Sequence, residues 1–296
     1  MKRNLPQNKR RKKHMMYLIA GRTGSGKDYL AKKIVELSNV ITDHDKPINE
    51  EPMTILKSYT TRPKRTESED THIFITKDEA DTYTDKVATT KIGEYEYFAT
   101  ADQVEHTDLY IIDPNGIEEL TKNMPDTEFQ IIYVHADEDL NRSINAIKRA
   151  EDKIKEEEIF AKRNDAEDEQ FTEFEDKIFN RMDTEVCFPN NVKSVVIVEN
   201  KYTDQCMEEH ACMIIIDRQR FQKMCNIVRE CMDLGILTKS VNTDKNGECK
   251  IIAHRNIDGK SIPEEHTIEQ CANSLLTDND AFRHILGKYI LVSPKF

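Results

Sequence analysis

The sequence predicts an α/β fold in which helices flank a parallel sheet, with a small α+β extension at the C-terminal end. Three observations lead there. A short apolar run, Met15 to Ala20, opens directly into a glycine-rich turn and a helical pattern. Strand and helix patterns then alternate as far as residue 216, which is the habit of chains that build a parallel sheet. Beyond residue 216 the alternation stops and a different pattern of helix and hairpin signals takes over.

The turn after the first strand is Gly21-Arg22-Thr23-Gly24-Ser25-Gly26-Lys27-Asp28. Two glycines framing four residues, Gly21 and Gly26, with Lys27 directly after the second at the mouth of a helix, are the parts of a P-loop. Its backbone N–H groups cradle phosphate oxygens, the helix N-terminus favours negative charge, and the lysine reaches the β- and γ-phosphates. Gly21, Arg22, Thr23, Gly24, Ser25, Gly26, Lys27 and Asp28 are therefore the candidate nucleotide-binding residues, with ATP and Mg2+ as the expected cofactors. Asp28 replaces the usual hydroxyl residue. A carboxylate suits a hard cation such as Mg2+, so Asp28 is the candidate metal ligand.

The first helix is expected over Tyr29 to Ser38, with Leu30, Ile34 and Leu37 on one face. Thr42 to Pro52 is polar loop, and Thr54 to Ser58 a short strand leading into Thr60-Thr61-Arg62-Pro63-Lys64-Arg65. Pro63 bars a helix interior there, and two arginines three residues apart make a compact cationic loop able to hold a phosphate bidentately. His72 to Thr76 has strand character, Lys77 to Thr82 opens as a short capped helix, and Gly93 to Thr100 is rich in tyrosine. Leu109 to Ile112 is an apolar run ending in Asp113-Pro114-Asn115-Gly116. It places a carboxylate at the C-terminal edge of a parallel strand, where such folds bind ligands. Gln130 to His135 is a further strand, followed by a charged helical stretch from Glu138. Between Glu151 and Asp176 it holds twelve acidic and four basic residues, the composition of an exposed helix. Val195 to Asn200 reads as the last strand, and a helix is expected from Thr203 toward Ile216.

Composition limits the function classes. The chain has 296 residues, 38% of them hydrophobic, enough for a sizeable core. A net charge of -12 argues against general binding of nucleic acid or membrane surfaces. Residues 1–14 form a basic tail, with seven Lys or Arg among the first thirteen, and read as a disordered arm able to touch nucleic acid or another acidic surface. No signal-peptide pattern precedes the first strand, and Met15 to Ala20 is too short to span a bilayer, so a cytoplasmic, non-membrane protein is expected. Seven cysteines, at 187, 206, 212, 225, 231, 249 and 271, fit free thiols in a reducing compartment. Cys206, His210 and Cys212 lie close in sequence but lack a second ligand pair, so they are read as helix-face residues rather than a metal site.

The order of these pieces resembles the guanylate kinase family over most of residues 15 to 216. Ser58-Tyr59-Thr60-Thr61-Arg62-Pro63-Lys64-Arg65 is similar to the family's nucleotide-binding segment, Tyr97-Phe98-Ala99-Thr100 to its tyrosine motif, and Asp113-Pro114-Asn115-Gly116 to its Asp-x-x-Gly element. The resemblance implies a P-loop NTPase-type parallel sheet with a lid and a nucleotide-monophosphate-binding subdomain. The activity it implies is phosphoryl transfer from ATP to a nucleoside or deoxynucleoside monophosphate, GMP or dGMP leading. It further implies that Arg62 and Arg65 bind the acceptor phosphate, that Ser58 and Thr100 face the base, that Tyr97 and Phe98 line the acceptor site, and that Asp113 contacts the base or organises the metal. Arg149, and Arg163 in Ile159-Phe160-Ala161-Lys162-Arg163, resemble the lid arginines that close over the transferring group, making Lys27, Arg62, Arg149 and Arg163 the implied catalytic set.

Departures from the pattern bear on the acceptor. The position at which the family holds guanine with a glutamate is Thr89, and Glu94 and Glu96 have the wrong spacing to replace it. His72 stands where the family has a tyrosine. Gly26-Lys27-Asp28 and the stretch Glu69 to Ile73 also resemble ribose 1,5-bisphosphate phosphokinases, which gives a rival acceptor. Guanylate-kinase-like domains that act as non-catalytic scaffolds are the alternative of another class, and those have degraded P-loops. Residues 217–296 lie outside the resemblance. Phe221 to Leu237 is expected as an amphipathic helix, and Asn246-Gly247 as the turn of a hairpin joining Thr238–Val241 to Cys249–His254. Helices are expected over His266 to Leu276 and Phe282 to Tyr289. The extension would pack on the core or mediate a homodimer.

Overall fold

The computed structural model describes residues 15–44, 52–64, 66–136, 153–179, 188–244, 247–257, 260–268 and 270–272. The chain divides into two compact units, Met1–Cys212 and Met213–Phe296.

The first unit is an α/β protein built on a four-stranded parallel sheet. Its strands are β1 (Met16–Ala20), β6 (Leu109–Ile111), β7 (Phe129–His135) and β8 (Val192–Glu199), in the spatial order β6-β1-β7-β8. Leu18 pairs with Tyr110 on one side and Ile131 on the other. All five residues of β1 are buried, as a strand covered on both faces must be, and this explains an unbroken apolar run rather than an alternating one. The helix α1 (Lys27–His44) follows β1 through the glycine turn and buries Leu30, Ala31 and Ile34. It is longer than the apolar spacing alone predicts, because nothing after Ser38 breaks a helix.

A second sheet carries β2 (Tyr59–Thr60), β3 (Ile73–Phe74), β4 (Lys86–Ile92) and β5 (Tyr95–Thr100), in the order β3-β2-β5-β4. The expected strand over Thr54 to Ser58 reduces to a single parallel bridge between Ile55 and Leu109, with the regular pairing beginning at Tyr59. Short helices α2 (Lys77–Ala80) and α3 (Ala101–His106) begin at capping boxes, Thr76 with Glu79 and Thr100 with Gln103. The helix α4 (Pro114–Asn123) starts with Asp113 as its N-cap and Pro114 at its first turn, the position proline tolerates best. The charged helical stretch expected from Glu138 is described from Lys153, as α5 (Lys153–Phe179), and its Phe171 and Phe174 enter the main core beside Tyr133 and Phe129.

The helix α6 (Asp204–Asp233) corrects an expectation. The two helices predicted around Ile216 and Phe221 are one helix, since Asp217-Arg218-Gln219-Arg220 contains neither glycine nor proline, and Asp217 pairs with Arg220 one turn on at 3.7 Å. It ends at Gly235, whose φ of 69° is the left-handed conformation that closes a helix. The second unit adds an antiparallel sheet of β9 (Thr238–Thr243), β10 (Cys249–Ile257) and β11 (Lys260–His266), in the order β11-β10-β9. β9 and β10 are the expected hairpin. The third strand replaces the expected helical start at His266, and helical conformation begins only past Thr267, whose hydroxyl accepts from Gln270 N–H. Pro263 is admitted because β11 lies at the sheet edge. The helix expected over Phe282 to Tyr289 lies outside the described residues.

Candidate functional site

The glycine turn, Asp113, His135 and Asn200 all follow the C-terminal ends of parallel strands, so topology gathers them on one edge of the sheet. At the turn, Gly24 and Gly26 have φ of 80° and 96°, and Ser25 N–H closes on the Arg22 carbonyl at 3.0 Å. Lys27 opens α1 half-buried, while Asp28 beside it is exposed. No described residue pairs with the Lys27 ammonium. Thus a positive group and a turn of backbone N–H groups stand at one helix N-terminus, the arrangement an anion requires.

Arg22 does not act alone. Its guanidinium binds Glu175 of α5 through two bonds of 2.8 Å, Asp168 at 2.8 Å and Thr172 at 3.2 Å, and lies over the Phe171 ring. The Tyr133 hydroxyl donates to the same Glu175 carboxylate. Burial works to raise the Glu175 pKa, but the hydrogen bonds from Arg22 and Tyr133 outweigh it and hold the group below its ordinary range. The acidic helix is thereby tied to the glycine turn, a contact across 153 residues that no local pattern announces.

On the second sheet Arg62 is buried at 9% exposure and fully engaged. It binds Glu69 at 2.7 and 3.2 Å, the Pro63 carbonyl at 2.8 Å and the Tyr97 hydroxyl at 3.1 Å, and stacks over Phe74. Ser58 Oγ lies 3.0 Å from His72 Nδ1, and the His72 ring meets Tyr97 edge-on. Structure therefore brings Ser58, Arg62, His72 and Tyr97 together. Phe98 goes elsewhere. It is wholly buried against Tyr59 and Tyr83, with the Lys86 ammonium 4.2 Å above its ring, so its place is a small core beneath the sheet. Thr100 spends its hydroxyl as the N-cap of α3.

Asp113 uses both carboxylate oxygens within the fold, one accepting from Gly116 N–H at 2.8 Å as a helix cap, the other from the Thr90 hydroxyl at 2.8 Å. Thr89 N–H donates to Glu119 at 2.7 Å. Glu119, which no sequence motif marks, sits on α4 and brings a carboxylate to the edge of β4 at Thr89. Glu96, by contrast, is paired with Lys86 at 2.7 Å. Burial holds the Tyr110 hydroxyl well above its usual pKa, beside Ser58 and Asp113.

Arg65 and Arg149 lie outside the described residues, and Arg163 falls within α5 at a position whose side chain is likewise outside them. Cys206 and His210 line a groove of about 650 Å³ with Phe179, Ile197 and Glu199, where the Cys206 thiol donates to the Glu199 carbonyl at 3.3 Å. The described cysteines are free thiols, and among the described residues no group of three or more His, Cys, Asp or Glu is placed to hold a metal ion. No described helix is long and apolar enough to cross a membrane.

The fold and site so defined are those of an α/β protein with a glycine turn at a helix N-terminus and a separate second sheet. Among solved structures the chain is similar to the guanylate kinase from Anaplasma phagocytophilum, at 12% identity over 68% of this chain and 82% of that one, with a TM-score of 0.33. No protein-family model and no curated protein matches it.

Proposed function

We propose that the protein transfers the γ-phosphoryl group of ATP to a nucleoside or deoxynucleoside monophosphate, with GMP or dGMP the leading acceptor. The observation that carries this reading is Lys27 at the N-terminus of α1, with no partner among the described residues, behind a glycine turn at the C-terminal edge of a parallel sheet. Lys27 and the turn's N–H groups would neutralise the β- and γ-phosphates, and Arg62, oriented by Tyr97, would steer the acceptor phosphate for in-line attack. An acceptor oxygen forms the new P–O bond as the bond to ADP breaks. No general base is needed, because a phosphomonoester oxygen is already a competent nucleophile at neutral pH. The exposed Asp28 carboxylate fits Mg2+, which is held by one or two carboxylates together with substrate phosphates and water. When bound, that ion would offset charge on the triphosphate.

The Glu119 carboxylate beside Thr89 supports a base that offers N–H donors, as guanine does. One observation favours the second acceptor, ribose 1,5-bisphosphate: Ser58, which the resemblance would turn toward a base, is engaged with His72 at 3.0 Å. A coupled ADP-release screen over GMP, dGMP, AMP, CMP, UMP, dTMP and ribose 1,5-bisphosphate tests the proposal. Release with GMP or dGMP alone supports it, and release with ribose 1,5-bisphosphate alone transfers the assignment to that sugar. Release with none, in a protein that MgATP does not stabilise against heat, replaces it with a binding scaffold.

A further inference from the structure

The chain segment after β8 is built around one side chain. Asn200 N–H donates to the His135 carbonyl at 2.8 Å, which pins its backbone to the end of β7. Its side chain then turns toward the glycine loop. Nδ2 donates to the Ser25 carbonyl at 2.7 Å, and Oδ1 accepts from Tyr202 N–H at 2.7 Å. Asn200 is 8% exposed; its bond to Ser25 is buried and the one from Tyr202 part-buried. Tyr202 holds a φ of 57°, the left-handed conformation that costs a non-glycine residue energy, and in that conformation its N–H meets Oδ1.

The loop is shaped to receive this amide. A Cβ placed on Gly26 would stand 2.5 Å from Asn200 Nδ2, so the glycine required by a φ of 96° is required a second time by the approach of the asparagine. Ser25 lies between Gly24 and Gly26, both at positive φ, and the Ser25–Gly26 peptide, with glycine on one side, rotates readily. In a planar trans peptide the C=O and the next N–H point in opposite directions. Fixing the Ser25 carbonyl on Asn200 therefore fixes Gly26 N–H facing away from Asn200.

We propose that Asn200 is a positioning residue of the phosphate site, holding the Ser25–Gly26 peptide so that the Gly26 N–H is presented to a bound phosphate. The inference rests on the reading of the loop as a nucleotide site. Asn200→Asp replaces the donor with an oxygen that repels the Ser25 carbonyl while keeping an acceptor for Tyr202 N–H. Asn200→Ala removes the donor without adding charge and carries the test where the aspartate variant does not fold. Two measurements are made on the full chain: MgATP affinity by titration, with the KM for ATP and for the acceptor taken separately, and amide hydrogen exchange over residues 21–27 without ligand. The expected result is about a tenfold or greater loss of MgATP affinity, an unchanged acceptor KM, and faster exchange confined to the loop. Wild-type exchange in the loop together with wild-type MgATP affinity overturns the proposal. Faster exchange with unchanged affinity overturns it too, since the asparagine would then be structural only. Should the wild-type protein itself fail to bind MgATP, the nucleotide reading falls, and the exchange measurement alone decides whether Asn200 orders the loop.

Discussion

The glycine loop after β1 presents a lysine with no partner among the described residues, whereas the basic segment after β2 has bound its arginine to a neighbour. Lys27 has no described partner; Arg62 has Glu69, Tyr97 and a carbonyl. The difference teaches that the two halves of the site are prepared by different means. The glycine loop is held through its backbone, by Asn200 behind Ser25, and by α5 bound to Arg22. The second sheet is organised through a side-chain pair, so under the proposed function an acceptor phosphate would either displace Glu69 or share Arg62 with it.

The largest effect expected from this contrast is at Lys27. Lys27→Ala should reduce ADP release by about a thousandfold or more, since it removes a fixed charge from the transferring phosphates; normal turnover would end the kinase assignment. Glu69→Gln tests the other half. Freed from a full carboxylate, Arg62 should bind the acceptor several-fold more tightly, seen as a lower acceptor KM, while urea unfolding shows a loss of about 1–3 kcal/mol from the weakened buried pair. A higher KM instead would make Glu69 part of the acceptor site and abolish the contrast.

The tie between the loop and α5 gives a smaller, pH-dependent effect. Glu175 has a folded pKa below its unfolded value, so the stability it contributes is present above the ordinary glutamate range and is lost as pH falls through the lowered value. Chemical unfolding followed from pH 7 downward should show that acid loss in the wild type and a flatter profile in Glu175→Gln. The smallest effect compares two glycines. Gly93, at a φ of 62° in the hairpin between β4 and β5, has open space around it. Gly93→Asn should therefore change stability by about 0.5 kcal/mol or less, because asparagine tolerates that conformation, and thermal unfolding would show it. A large loss would mean the hairpin is as tightly constrained as the loop at Gly26.

Much of this was legible in the sequence for local reasons. β1, the glycine turn and α1 were visible because a strand buried on both faces is continuously apolar and a turn at positive φ favours glycine. Asp113 was legible as a residue at a strand edge, yet the helix that starts beside it uses both its oxygens, a competition between capping and binding that pattern alone does not resolve. Arg22 was assigned as a loop residue, but its partners lie 146 to 153 positions away on a helix that composition marked as exposed; Phe171 and Phe174 were the overlooked sign that one face of α5 is buried. Glu119 and Asn200 were missed because a polar residue gains its meaning from what folding brings beside it. The continuous α6 is expected as two helices because a polar stretch looks like a boundary, although this one holds no glycine or proline to interrupt it.

The pairing of Ser25 with Asn200 also has a consequence for how the molecule is made. The second sheet is drawn from residues 59 to 100 and can pair as soon as that stretch has been synthesised. The glycine loop leaves the ribosome ahead of its partner, because the Asn200 side chain that holds it is 175 residues behind. During synthesis the chain therefore carries a loop of the right composition and the wrong rigidity, and a nascent protein stopped before β8 should capture nucleotide poorly. Competence arrives late, with the closing strand of the sheet and the asparagine that follows it.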